Sequence, residues 1–262
     1  MGYKDFFPEI FRPADSLQIY GGCNGCAFGP TIRVLVWNMY KARSTGWSED
    51  FQTYIQNKEL VILQEAVINT NHDMIFQSPG RFEWIMAKTH KSRTTQATTG
   101  VKTGSIVKST AHAYFMTSDV EPILKTPKML LASTYPVEGM EEQLLVVNIH
   151  AINFVSFQKF SRQLKQMVEA IEKHRGPVIL AGDFNTWNDL RYRSLLDVAD
   201  RMGLQEAQLM RKGRLAHLNK HLDHVFYRGL DIVQTEVLMA VRSSDHYPIV
   251  VEFVIPGVAG SA

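Results

Sequence analysis

The sequence predicts an α/β sandwich: two mostly antiparallel β-sheets packed face to face, with helices on the outside. Ten short apolar or alternating runs read as strands, whereas only three stretches carry helical periodicity. Strands in that excess bury a face on a second sheet, which leaves the outer faces for helices. No internal repeat, low-complexity linker or break in composition divides the 262 residues. A chain of this length buries roughly 70–75% of its unfolded surface and needs no staple.

Residues 1–30 read as an irregular N-terminal extension, punctuated by Pro8, Pro13, Gly21, Gly22, Gly25, Gly29 and Pro30. Within it, Cys23 and Cys26 form a CxxC without the second pair that zinc requires, and their glycine neighbours read as a loop. A single domain is expected over 31–256, with 257–262 as a tail. Candidate strands fall near 31–37, 60–64, 82–87, 101–108, 128–135, 144–150, 178–182, 222–227, 235–240 and 248–254. The clearest helix covers 156–174, where Phe157, Phe160, Leu164, Met167, Val168 and Ile171 form one apolar stripe. Gly176 and Pro177 stop it. A second helix is expected over 189–202, with Leu195, Leu196, Val198 and Ala199 inward, and a weaker one over 48–57.

Hydrophobic content of 45%, charged content of 21% and a net charge of +2 are ordinary for a soluble globular chain. No apolar run approaches the roughly 18–20 residues needed to span a bilayer. The first residues, MGYKDFFPEIFRPADS, carry acids and prolines where a secretory signal has a basic flank and an apolar core. The expectation is a cytoplasmic protein without stable membrane insertion, and no feature indicates a protein partner.

Chemistry collects at the strand ends. RVLVWN ends in Asn38, VILQE in Glu65 and LLVVNIH in His150, while PVILAGDFN delivers Asp183 and Asn185. LDHVFY opens near Asp223, and SSDHYPIVVEF places Asp245 and His246 before an apolar run. Singly, Asp and Asn are common turn formers and a strand-end histidine simply meets water. Together they point to one cluster of metal ligands and acid/base groups along a sheet edge.

In this order, WN at Trp37 and Asn38, QE at Gln64 and Glu65, NIH ending at His150, GDFN at 182–185, LDHVFY with Asp223, and SDH at 244–246 resemble the endonuclease/exonuclease/phosphatase superfamily. That superfamily includes deoxyribonuclease I, apurinic endonucleases, sphingomyelinases and inositol polyphosphate 5-phosphatases, and the nearest likeness is to its bacterial members. The resemblance spans 31–254. It implies a four-layer α/β sandwich that hydrolyses phosphate esters with Mg²⁺, with Mn²⁺ as an alternative. Carried over by position, Glu65 is the principal metal ligand, with Asn38 beside it and Asp245 near the ion. Oxygen donors of this kind suit a hard cation. His246 is carried over as the general base, with Asp223 fixing its tautomer. His150 and Asn185 donate to non-bridging phosphate oxygens, and Asp183 orients the nucleophile or leaving group. Asp183 and His246 remain alternatives as the proton acceptor. Such a mixture fits a phosphodiester, whose cleavage depends on positioning a water and neutralising charge on oxygen. Two departures argue against abasic-site repair. Tyr40 stands where apurinic endonucleases carry aspartate, and His150 is shared instead with the deoxyribonuclease I and phospholipid or inositide phosphatase branches.

Residues 84–118 contain no Asp or Glu but carry Lys88, Lys91, Arg93, Lys102 and Lys108. This span reads either as a clamp on a nucleic-acid backbone through Lys91, Arg93 and Lys102, or as a solvated loop. The first reading makes nucleic acid the expected substrate, with a small phosphorylated molecule or lipid head group as the alternative. A non-catalytic binding protein would be expected to lack part of the set above. A lipid substrate calls for an apolar docking hairpin, but the best candidate, 129–131, reads as a buried strand. His217, His221 and His224 have zinc-like spacing, yet HLDHVFY alternates like a strand and favours structural or surface roles.

Overall fold

Strand alternation builds the layers. In β3 (Thr31–Asn38) the side chains of Ile32, Val34 and Val36 face one apolar layer, while Leu35 and Trp37 face another. Its parallel neighbour β4 (Leu60–Ile68) repeats this, with Leu60 and Ile62 on one side and Val61 and Leu63 on the other. Both faces are buried, which explains the near-continuous apolar runs. The computed structural model describes residues 7–68, 76, 81–211, 214–215 and 222–258.

The first sheet runs β1 (Glu9–Ile10), β5 (Glu83–Lys91), β6 (Thr98–Ser105), β4, β3, β16 (Ile249–Val254) and β15 (Asp231–Val237), with β2 (Leu17–Gly21) also on β5. The second runs β11 (Gln205–Glu206), β14 (Asp223–Arg228), β10 (Val178–Asp183), β9 (Leu144–His150), β8 (Met129–Tyr135) and β7 (Ala111–Met116). A small ribbon joins β12 (Met210–Arg211) to β13 (Arg214–Leu215). Only β3 with β4 and β9 with β10 pair in parallel within the two large sheets, so each is mostly antiparallel as expected.

Between the sheets, Val34, Val36 and Ile62 meet Val146, Ile179, Ala181 and Val225. Outside the second sheet, α2 (Phe157–Ile171) and α3 (Asp189–Arg201) lay Phe160, Leu164, Met167, Leu195 and Val198 on Val147, Leu180 and Phe226. Outside the first, Trp47 and Phe51 of α1 (Trp47–Tyr54) pack against Trp37 and Leu63. These are the four layers of the sandwich.

Departures from expectation lie at the edges. The extension read as irregular contributes β1 and β2, which pair with β5 from Leu17 opposite Ala87 to Gly21 opposite Glu83. β7 gives no apolar signal because it is an edge strand whose first half is exposed. β6 and β15 begin earlier than expected because threonines and exposed polar residues dilute their pattern. Residues 129–131 are buried strand, as read. Cys23 and Cys26 are free thiols, half-buried and exposed respectively.

Candidate active site

The alternation that fills the core also aims the site. In β9 the phase of Leu144 and Val146 continues to Asn148 and His150, in β10 that of Ile179 and Ala181 continues to Asp183, and in β3 that of Val34 and Val36 continues to Asn38. All three side chains therefore point into the gap between the sheets, at the same end. Register completes the row: His150 lies opposite Asp183 on one side, and Asp223 lies opposite Asp183 on the other. Asn38 reaches across from the first sheet, its Nδ2 donating to Asp183 Oδ2 at 3.0 Å.

Two backbone devices sharpen the aim. A bulge between Leu63 and Ala66 interrupts the pairing of β4 with β6, and Glu65 takes φ 47° there. The extra residue turns Glu65 into a cleft it shares with Lys41, His90, Lys128 and His150. On β10, Gly182 has φ 143°, and a Cβ there would lie 2.0 Å from the carbonyl oxygen of Ile149. Only glycine lets the strand approach β9 so closely just before Asp183.

His246 enters from the loop before β16, and its Nδ1 lies 2.6 Å from Asp223 Oδ2. Its Nε2 is 3.8 Å from Asp183 Oδ2, and His150 Nε2 is 3.5 Å from the same oxygen. Burial disfavours the charged imidazole of His246, but the Asp223 carboxylate outweighs it and holds the ring protonated up to about 10. Burial and the Asp223 charge push the Asp183 carboxyl up to about 7, with His246 pulling the other way. Burial would also raise Glu65, yet Lys41, at 3.1 Å from Oε2, and Lys128 bring it below the usual carboxylate range.

His150 is neutral, its pKa driven well down by burial and the Lys128 ammonium. Lys128 Nζ lies 3.0 Å from His150 Nε2, and an ammonium has no lone pair, so this ring nitrogen accepts. Here Nε2 therefore faces an ammonium donor. Asn185, at φ 50°, gives its backbone N–H to Asp183 Oδ1 and one Nδ2 hydrogen to Ala151 O.

Asp245 lies on the exposed rim, with Oδ1 3.4 Å from Ser244 Oγ. Lys102 corrects the sequence reading. It is 0% exposed, donates to Val67 O and stands 3.4 Å from the centre of the Phe76 ring, so it cannot lie along a nucleic-acid backbone. Its neighbours in the span are constrained too: Lys88 covers the Phe11 ring, and Arg93 Nε donates to Phe7 O. Lys91 stays half-buried at the end of β5. Among the zinc-spaced histidines, His224 is buried between Glu206 and Thr186, a structural role, while His217 and His221 lie outside the described residues. Sequence reasoning missed Lys41, Lys128 and His90. Lys41 follows the WN motif by three positions, which is the one signal that could have found it.

Two groupings could hold a cation. Asp183, Asp223 and His246 place ligand atoms within 4.8 Å of one another, while Glu65 and Asn38, neighbours because Asn38 lies opposite Gln64 in register, offer oxygen atoms. The pattern of the endonuclease/exonuclease/phosphatase family matches residues 35–246, which takes in every member of both. The chain belongs to this family. As an endonuclease/exonuclease/phosphatase protein it is 35% identical over 255 residues to a UPF0294 protein of Erwinia tasmaniensis, covering 94% of this chain and 90% of that one. A UPF0294 protein of Yersinia enterocolitica is 35% identical over 257 residues, covering 94% and 93%. The fold matches the human Nocturnin catalytic domain with bound sulfate at TM-score 0.65 and 16% identity, over 90% of this chain and 97% of that one. It also matches a mannosyl-6-phosphatase from Bacteroides thetaiotaomicron at TM-score 0.61 and 15% identity, over 86% and 100%. Family members are generally hydrolases, and the gathered carboxylates and histidines are consistent with that chemistry.

Proposed function

We propose that this chain is a divalent-metal-dependent phosphoesterase in which an activated water attacks a phosphate ester held in the cleft between the sheets. One observation carries the reading: the row His150, Asp183 and Asp223 on the second sheet meets Asn38 and Glu65 on the first, with His246 bonded to Asp223. Glu65 and Asn38 offer the oxygen donors that suit Mg²⁺ or Mn²⁺, with Asp245 as a proposed third from the loop whose Ser244 Oγ donates to Asn38 O, and the carboxyl of Glu65 is held ionised, as a ligand must be. When bound, such an ion neutralises charge developing on the phosphate oxygens.

The proton work falls to the chain. At neutral pH His246 already carries its proton and serves as a donor, whereas Asp183, raised to about 7, is poised to take a proton from water. On this reading Asp183 is the acceptor and His246 the donor. Lys128 and Lys41 supply positive charge to the cleft, and Lys128 takes over the phosphate contact first assigned to His150. With Lys102 interior, a nucleic-acid clamp rests on Lys91 and Arg93 alone. The reading is therefore a compact phosphate-bearing head group entering the cleft.

The test is turnover on plasmid DNA, RNA, inositol phosphates and glycerophosphodiesters, with Mg²⁺ and with EDTA. Activity should vanish in EDTA, and Glu65→Gln should lose at least about 100-fold, on the scale of one preorganised charged contact. Full activity in EDTA overturns the metal assignment.

A further inference from the structure

Four of the nine exposed large apolar side chains among the described residues belong to three loops at the mouth of the cleft. They are Ile123 at 70% exposure, Leu124 at 39%, Phe154 at 68% and Trp187 at 47%. Hydrogen bonds join these loops to one another and to the site. Trp187 Nε1 donates to Asn153 Oδ1 at 2.9 Å, and Asn153 N donates to Glu121 Oε1 at 3.0 Å. That same oxygen lies 3.3 Å from Lys128 Nζ, which in turn contacts His150. Leu124 itself lines the cleft with Glu65 and His150.

The exposure is built in. Beneath the rim, Arg191 is 2% exposed and donates to the carbonyls of Ile152, Val155 and Asn185, with its guanidinium 5.2 Å from the centre of the Trp187 ring. The turn carrying Ile123 and Leu124 is closed by Glu121 N to Thr126 O and Lys125 N to Glu121 O. Loops tied down this way hold their apolar tips towards solvent on the same side as the cleft.

We propose that this rim docks the protein on an anionic phospholipid surface and brings a lipid head-group phosphate to the cleft. The substrate class rests on the phosphoesterase reading, while the docking itself does not. Aliphatic tips argue for hydrocarbon over nucleobases, because bases stack on planar groups and Ile123 and Leu124 have none. An indole with a polar edge is the side chain that partitions to a membrane–water boundary. Charge complements this: exposed Lys125 shares the turn with the two aliphatics, while Lys41 and Lys128 in the cleft behind each pair with one carboxylate, of Glu65 and Glu121. The nearby acid Asp119 is already neutralised by Lys159 and Arg162.

The chain carries its own reporter, since Trp187 is exposed while Trp37, Trp47 and Trp84 are at most 3% exposed. Phosphatidylcholine vesicles with and without phosphatidylglycerol are titrated into the full chain in EDTA, so that no turnover is required. Expected is a blue shift of tryptophan emission with the anionic vesicles, quenched by lipids brominated on the acyl chain and absent in Trp187→Phe. Ile123→Ser combined with Phe154→Ser should weaken partitioning by at least about tenfold with little change in melting temperature, since both side chains already face water. No shift, or equal partitioning of the double variant, overturns the proposal. So does a shift produced by an oligonucleotide or by raising protein concentration without lipid, which would assign the rim to bases or to a second copy. Turnover of a soluble diester such as bis(p-nitrophenyl) phosphate tests the phosphoesterase reading separately, and its retention alongside failed docking removes only the docking.

Discussion

Asp183 and His246 share one environment and leave it with opposite tasks. Both sit against Asp223, whose charge raises the acid and the imidazolium alike, so near neutrality one is about to lose a proton and the other keeps its own. Activity should accordingly rise with pH through about 7 and fall near 10, the two limbs belonging to the coupled cluster as a whole. In a profile of kcat/KM against pH, Asp183→Asn should remove the acid limb along with about 10²- to 10⁴-fold of rate. Asp223→Asn should draw the alkaline limb down towards the ordinary histidine range. An acid limb that persists in Asp183→Asn would hand the base role to another group. The residue scale is also where sequence reasoning failed most visibly. Lys102 belongs to a run of lysines and threonines that reads as surface, yet period-two alternation in β6 sends it inward under Phe76.

Two strands needed an irregularity to present Glu65 and Asp183. Without the bulge, the alternation of β4 would turn Glu65 to the α1 side with Val61 and Leu63; the positive φ re-aims it. Gly182 plays the matching part on β10. Gly182→Ala should cost on the order of 3 kcal/mol, since its Cβ meets the Ile149 carbonyl and its φ is strained for any other residue. In a thermal melt this corresponds to a fall on the order of 10 °C. A melt unchanged by the substitution would show that β9 and β10 can part at no cost.

Placing a charged cleft between two apolar sheets has a consequence for the whole molecule. Burial together with the ammoniums of Lys41 and Lys128 lowers the pKa of His90 to about 4, so the folded protein holds this ring neutral. An unfolded chain protonates it near 6.5. A folded pKa below the unfolded one contributes stability present above about 6.5 and lost as pH falls through about 4. Melting of the EDTA-treated protein should therefore decline across that window, and His90→Gln should flatten the decline by about one proton's worth of slope. A variant curve parallel to the wild type would place His90 in water. Metal binding gives a second readout at this scale. Mg²⁺ or Mn²⁺ should raise the melting temperature of the wild type and leave Glu65→Gln unmoved, because an ion bound only by the folded state stabilises that state.

The sequence by itself determined the layers and most of the cluster. Apolar runs buried on both faces specify central strands, and polar residues at the ends of Thr31–Asn38, Leu144–His150 and Val178–Asp183 were legible because period two carries the core phase directly onto Asn38, His150 and Asp183. Tertiary structure alone decided what depends on partners distant in the chain. β1 and β2 become strands because β5 offers them an edge, Lys128 becomes a site residue because β8 lies beside β9, and Asp223 and Asp183 become a coupled pair through strand register. The apolar rim shows the same division. Ile123, Phe154 and Trp187 lie far apart in sequence, and an exposed apolar residue is unremarkable singly. Only the hydrogen bonds through Asn153 and Glu121 bring them to one mouth, because a surface is a property of neighbours in space, which local composition does not encode.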